Sequence, residues 1–577
     1  MYDLIIKNGL VVDGTGAPAF HADVAISGGR IVEVGEVSGP ARRTVDAEGL
    51  MVTPGFVDIH THYDGQASWD SMLAPSSIHG VTSVAMGNCG VGFAPARPDK
   101  HDWLIRLLEG VEDIPGTALA EGLTWDWESF PDYLNALGRR SYTMDVAAHM
   151  PHAALRAYVM GERGADHTAA PTDDEIERMS ALTEEALNAG AIGFSTSRTY
   201  VHRSRDGANI GTLTASEAEL QGIVSALKRS GRGVIQLISD AYLTADDDFA
   251  AAELKLIRGL AQTSGRKLSF TVQQTDEAPD RWRGIFREID AMVADGLDVR
   301  AQVAPRPVGA MLSFASTTNP FMVTPTYRAI NADGVEHRLR QLADSDVRER
   351  ILTEHGHIKL AGFGALLTEG FERMFRLTDP VDYEPGPADS IAAGAARTNR
   401  SPAAYCYDVM LEEDGQRILY MPLINYARGN LDDVHGMMQG AHTLYGLSDG
   451  GAHCGTISDA SFPTTTLALW SKGSKSGLKF GIEALVHGYT QRNARHVGWR
   501  DRGVVAPGYL ADLNLIDMGA LELSPPAVVH DLPAGGARLV QKARGYRSTI
   551  KSGEVTFENG EWTGATPGGL VRGETAL

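Results

Sequence analysis

Two histidines one residue apart, His60 and His62, close an apolar run that begins at Met51. On a strand, residues i and i+2 point to the same side. The two imidazoles can then address one point, which is what a divalent cation takes from nitrogen ligands. The competing reading of the pair is a polar strand end. Asp449 lies in Gly446-Leu447-Ser448-Asp449-Gly450-Gly451. A carboxylate there can bind a metal and take a proton from water, although Ser-Asp-Gly-Gly is equally good turn chemistry. Cys89, in Gly87-Asn88-Cys89-Gly90, offers a soft thiolate suited to zinc or, more plainly, a small buried apolar side chain.

Gly55-Phe56-Val57-Asp58-Ile59-His60-Thr61-His62 resembles the first barrel strand of the amidohydrolase superfamily. Tyr2-Asp3-Leu4-Ile5-Ile6-Lys7-Asn8-Gly9 and Gly508-Tyr509-Leu510-Ala511-Asp512-Leu513 resemble that superfamily's flanking segments. Gly87-Asn88-Cys89-Gly90 narrows the resemblance to the D-aminoacylase (N-acyl-D-amino-acid deacylase) branch. The resemblance implies a metal-dependent hydrolase of carbon–nitrogen bonds other than peptide bonds, with His60, His62, Cys89 and Asp449 as metal ligands, zinc as the metal (one or two ions), and Asp449 as the catalytic base for a metal-activated water. It also implies a histidine at the end of the fifth barrel strand and another at the end of the sixth. This chain has neither. The fifth ends Gln236-Leu237-Ile238-Ser239-Asp240 and the sixth Val272-Gln273-Gln274. Neutral amides are poor zinc ligands. Three consequences stand side by side: one metal on His60, His62, Asp449 and Cys89; a rearranged set that includes His149 or His453; or a barrel that binds ligand without hydrolysis. His152 and His202 are further candidates, each with a structural reading.

For substrate binding, the segment Phe194 to Tyr200 resembles the branch's fourth-strand region, in which a tyrosine near Tyr200 helps hold the substrate carboxylate. Arg198, Arg203 and Arg306 are further candidates, because a guanidinium binds a carboxylate bidentately. His149 or His453 is a candidate oxyanion donor. The substrate this points to is an N-acyl, in particular N-acyl-D, amino acid. A hydantoin, lactam or ureido compound is the alternative, since a fold does not decide between such chemistries.

The elements that would place these residues read as an α/β chain: a (β/α)8 TIM-like barrel with a small β-sandwich built from both chain termini. Strand-like runs near 57, 82, 145, 192, 234, 268, 299 and 446 alternate with amphipathic helices. Thr172 and Glu175 form a capping box before a helix that Gly190 stops, and Thr214 with Glu217 suggests the cap of the next. Helices follow near 249–263, 281–294 and 481–494. Residues 1–55 and 499–577 read as the two parts of the sandwich, with Asn8-Gly9 as a hairpin turn. Residues 56–498 read as the barrel, interrupted by insertions near 92–140, which carries Trp103, Trp125 and Trp127, and near 305–440. Such insertions act as lids, binding segments, subunit contacts or plain packing.

The chain has 577 residues, is 43% hydrophobic, and carries a formal charge of −21. That composition supports a large core. The acidic balance argues against nucleic acid or an anionic membrane as partner. Three cysteines make no disulfide framework. With no signal peptide and no long apolar run, a cytoplasmic protein acting on a small-molecule amide is expected. A homo-oligomer is suggested by the resemblance alone.

Overall fold

The computed structural model describes residues 1–331 and 334–577. Its centre is one sheet of eight parallel strands in sequence order: Phe56–Asp58, Val81–Met86, Asp145–Pro151, Gly193–Arg198, Val234–Ser239, Leu268–Thr271, Val299–Val303 and Thr443–Tyr445. These strands are buried almost throughout, as expected when helices cover one face of a sheet and side chains fill the other. The first and eighth strands meet just beyond their ends, where Thr61 bridges Gly450 in parallel and the His62 amide donates to the Gly450 carbonyl at 2.8 Å. Asn493 pins the same seam from outside. Its Nδ2 donates to the Val57 and Tyr445 carbonyls at 2.9 and 2.7 Å.

The helices obey their capping signals with one exchange. Thr172 accepts from the Glu175 amide, the reciprocal bond is also made, and Gly190 ends the helix Asp173–Ala189 at φ +114°. The following helix, Glu217–Ser230, is capped by Ser216, which accepts from the Glu219 amide. Thr214 instead donates to the His167 carbonyl. Two overlapping Ser/Thr-x-x-Glu patterns compete here, and the one two residues later wins. The segment near 481–494 is not a single regular helix: Ile482–His487 passes through a π turn at Gly488–Arg492 before Asn493–His496. A Cβ at Gly488 would sit 2.3 Å from the Tyr445 ring, so only glycine lets the helix lie this close to the eighth strand.

Both chain ends contribute to a nine-stranded sheet. Met51–Pro54 pairs antiparallel with Leu513–Ile516, joining the N-terminal strands to Tyr546–Lys551 and its neighbours. Its core holds Leu4, Ile6, Val24, Ile26, Leu513, Leu515 and Ile550. Asn8-Gly9 is not a turn: Tyr2–Val11 is one strand with a bulge between Ile6 and Gly9. Asn8 takes the left-handed conformation (φ 61°), and its amide donates to Asp23 Oδ1 at 3.0 Å. The strand then continues, because residues on both sides of the bulge find partners.

The insertion after the second strand folds as helices His101–Val111, Gly116–Gly122 and Phe130–Gly138. Its tryptophans pack: Trp125 stacks on His101 at 3.7 Å and Trp127 donates to the Phe93 carbonyl. The insertion after the seventh strand has its own three-stranded sheet, Val308–Leu312, Leu419–Ile424 and Phe375–Arg376, and its own core around Phe314, Phe321, Tyr407 and Met410. Within the C-terminal part, the hairpin of Ala527–Leu532 and Gly536–Val540 leaves the nine-stranded sheet and reaches the barrel loops. There the Leu539 amide donates to the Cys454 carbonyl, and Arg538 to the Ala74 carbonyl. Among the described residues, no helix is long and apolar enough to cross a membrane.

A buried charge network fastens the barrel to the terminal sheet. Asp145, at the start of the third strand, is 2.6 Å from Arg502 Nη1 and 2.8 Å from Lys551 Nζ, and Lys551 also holds Asp512. Burial works against the Asp145 carboxylate, but Lys551 and Arg502 outweigh it and hold its pKa down to about 2. A folded pKa below the unfolded value means that this stabilisation is complete above about pH 4 and is lost as pH falls toward 2. Removing one partner of such a network costs about 3–5 kcal/mol. In urea unfolding, Asp145→Asn is expected to lower the midpoint strongly at pH 7, with the gap from wild type narrowing below pH 4. A constant gap at both pH values would show that the carboxylate charge is not what stabilises.

Candidate metal centre

The sheet's C-terminal edge gathers the ligand-competent residues. His60 and His62 flank the Thr61 bridge, and their rings stand 5.5 Å apart, edge to face. Cys89 follows the second strand in a turn that neighbouring strands hold by hydrogen bonds. Asn88 Nδ2 donates to the Thr61 and Ala85 carbonyls, and Gly90 N donates to Ser195 Oγ. Cys89 itself has φ 54°. A left-handed non-glycine residue costs about 1–2 kcal/mol and persists only when its surroundings hold it. Here its amide donates to Gln236 Oε1 at 2.7 Å. Asp449 has φ 48° on the loop after the eighth strand. Ser448 orders that loop by donating to Asp58 and to the His60 carbonyl.

The donor atoms of His60, His62 and Cys89 lie within 4.8 Å of one another. His60 Nε2 is 3.3 Å from Cys89 Sγ and 3.3 Å from Asp449 Oδ1, and His62 Nε2 is 3.5 Å from the same Oδ1. A tetrahedron with arms of about 2.0–2.3 Å has edges of about 3.3–3.7 Å. Two imidazoles and a thiolate converge closely enough to share one zinc-like divalent ion, and Asp449 Oδ1 stands beside both imidazoles but outside that group of three. Asp449 Oδ1 is buried and makes no hydrogen bond among the described residues, as a donor kept for an ion would be.

The surroundings fix the ligand states. Gln302 Nε2 donates to Ser269 Oγ, which leaves its Oε1 to accept from His60 Nδ1 at 2.6 Å. With Nδ1 bonded to Gln302, Nε2 faces the cluster, and a proton held there is the one an arriving ion would displace. Burial disfavours every charged form here, yet opposite charges prevail. His60 is raised to about 9, with Cys89 the chief counter-influence to burial. Asp449 is held down to about 2 by His62 and His60 against burial. The Cys89 thiol is drawn below its usual range, chiefly by His60, although burial pushes it up. A thiol poised toward thiolate is a prepared metal ligand.

The other candidates separate. His149 is buried at the end of the third strand, where burial holds its pKa near 3, and it lies outside the converging group. His152 is bonded to Thr196 and Glu219, and Arg156 also holds Glu219, so its role is structural. His202 bonds Ser197 Oγ at 2.9 Å. His453 has its Nε2 3.8 Å from Glu112 Oε2. Arg198 is not free for a substrate carboxylate, since it grips Glu253 through Nε and Nη2. Arg306 is fully buried, 2.9 Å from Asp459 and stacked between Tyr383 and Phe462. Taking up a substrate there would break a buried ion pair. Tyr200 is 50% exposed, with its amide bonded to Asp240. Arg203 is bonded to the Tyr200 and Gly207 carbonyls. Gln273 and Gln274 are tied to Asn425 and Asp433.

The carboxylate that sequence reasoning missed is Glu112, at the end of the helix His101–Val111. It is 1% exposed, with Oε1 3.2 Å from His62 Nδ1. Its signal was present: Leu104, Leu107, Leu108 and Val111 form the buried face, and Glu112 falls four residues after Leu108 on that face.

Comparison with known proteins places this geometry. Residues 43–356 and 388–557 match the amidohydrolase family. A D-aminoacylase of Alcaligenes xylosoxydans xylosoxydans is 38% identical over 205 residues, which is 35% of this chain and 39% of that one. The aligned stretch therefore spans about two fifths of that relative's length. An N-acyl-D-glutamate deacylase of the same organism is 32% identical over 313 residues, 53% of this chain and 57% of that one. The solved structure of a D-aminoacylase with a binuclear metal centre, activated by one metal and attenuated by the second, superimposes with a TM-score of 0.65 at 25% identity, covering 100% of both chains.

Proposed function

The chain belongs to the amidohydrolase family, and from that premise we propose that it hydrolyses the amide bond of an N-acyl amino acid, of D configuration, with one zinc ion. The observation that carries this reading is the convergence of His60, His62 and Cys89, with Asp449 beside both imidazoles, on the strand-end face, where barrel enzymes place their chemistry. When bound, such an ion supplies polarisation of an amide carbonyl and acidification of water. Asp449 stays ionised at neutral pH, as a proton acceptor must. It takes the proton of the attacking water and returns it to the leaving nitrogen. His453, four residues on, offers an N–H to the developing oxyanion. The relatives' activities toward N-acyl-D-amino acids support the substrate class. The single activating metal of the structural relative supports one ion. Three buried cysteines, none in a disulfide, are in keeping with the cytoplasm.

The test is elemental analysis of purified protein, then a panel of N-acyl-D and N-acyl-L amino acids run beside hydantoins and lactams. About one zinc per chain with release of free D-amino acid is expected. Metal with ring opening only would move the substrate to a cyclic amide. No stoichiometric metal after growth with zinc would end the hydrolase reading.

A further inference from the structure

We infer that Glu112 is a positioning residue for the centre: its carboxylate fixes the ring of His62 and strengthens its hold on the ion. This rests on the metal reading above and concerns a residue from the insertion rather than from a barrel strand.

A carboxylate 1% exposed is costly unless an opposite charge or a donor compensates it. Glu112 has two imidazoles within reach. His62 Nδ1 is 3.2 Å from Oε1, an ion-pair contact without hydrogen-bond alignment, and both atoms are buried with no hydrogen-bond partner among the described residues. His453 Nε2 is 3.8 Å from Oε2, and its side chain is 30% exposed. The nearer and better shielded partner is His62. Its other nitrogen, Nε2, faces Asp449 Oδ1 at 3.5 Å. The ring is therefore held between a carboxylate on one side and the donor cluster on the other. A ligand histidine whose second nitrogen faces a carboxylate is fixed in tautomer and orientation and becomes a more basic ligand. The two ligand rings differ in this respect: His60 leans on the amide of Gln302, His62 on the carboxyl group of Glu112.

The chain holds Glu112 firmly in place. Its carbonyl accepts from the His453 amide, its own amide donates to the Leu108 carbonyl, and Asp113 accepts from Thr456 Oγ1 at 2.7 Å. The end of the inserted helix is thus fastened to the loop that carries Asp449. The insertion after the second strand is part of the centre's wall rather than a remote lid.

The experiment measures zinc affinity of the whole protein by competition with a chromophoric chelator at pH 7, for wild type, Glu112→Gln, Glu112→Ala and Glu109→Gln. Glu109 lies on the same helix but pairs with Arg205 at the surface, so it controls for a general effect of helix charge. Expected is zinc held about 10-fold more weakly by Glu112→Gln and about 100-fold more weakly by Glu112→Ala, with Glu109→Gln unchanged. In the cobalt-loaded proteins the thiolate-to-cobalt band of Cys89 should persist in the Glu112 variants, with altered ligand-field bands. Circular dichroism identifies any variant that fails to fold, and the isosteric Glu112→Gln keeps the test decisive if the alanine variant does. Wild-type affinity in both Glu112 variants would overturn the inference while leaving the metal centre standing. A wild-type protein that takes up no zinc would overturn both.

Discussion

Asp449→Asn lowers kcat on the best N-acyl amino acid by about 10²–10⁴-fold, the usual contribution of a general acid–base group. The substitution is suited to reading chemistry rather than folding. Asp449 has a left-handed backbone, and asparagine is among the few residues that tolerate one. The amide keeps the size and one acceptor oxygen, while His60, His62 and Cys89 remain to hold the ion. The metal content should therefore fall far less than kcat, and KM should change little. Steady-state kinetics beside elemental analysis checks this. A variant turning over within tenfold of wild type would remove Asp449 from the role of proton acceptor.

His60→Ala/His62→Ala empties the centre. Each single change leaves three donors, whereas the double change leaves Cys89 and Asp449, and affinity should fall to background along with turnover. The thermal transition reports the same loss independently. An ion present at about 1,000 times its dissociation constant stabilises the native state by about 4 kcal/mol, so zinc should raise the melting temperature of wild type and leave that of the double variant unmoved. The rise should be strongest in hydrogen exchange around Thr61 and Gly450, because the donors stand on both sides of the seam those residues close. Equal zinc shifts in both proteins would place the ion elsewhere.

Much of the scaffold is legible in the sequence, because strands and helices announce themselves through local periodicity. The eight strand positions, the Thr172 capping box and the placement of His60, His62 and Asp449 at strand ends all follow from patterns a few residues long. The misreadings are of another kind. Arg198 and Arg306 suit a carboxylate, but which carboxylate they meet depends on Glu253 and Asp459, brought beside them only by the fold. Gln236 looked like a failed ligand. In the folded chain its oxygen clamps the amide of Cys89, a role fixed by backbone geometry that no spacing encodes. Asn8-Gly9 carried a hairpin signal and became a bulge, since partners on both sides outbid the turn.

The seam also orders events in time. His60, His62 and Cys89 leave the ribosome early, and Asp449 follows only about 360 residues after Cys89, on the order of tens of seconds at about 5–20 residues per second. Throughout that interval the growing chain carries two imidazoles and a thiol with neither the eighth strand beside them nor the carboxylate that completes the set. The mature coordination sphere is therefore a product of the finished polypeptide. Metal acquired sooner would be held by an incomplete shell, and exchange of a wrong ion for the right one has its easiest window before the last strand docks.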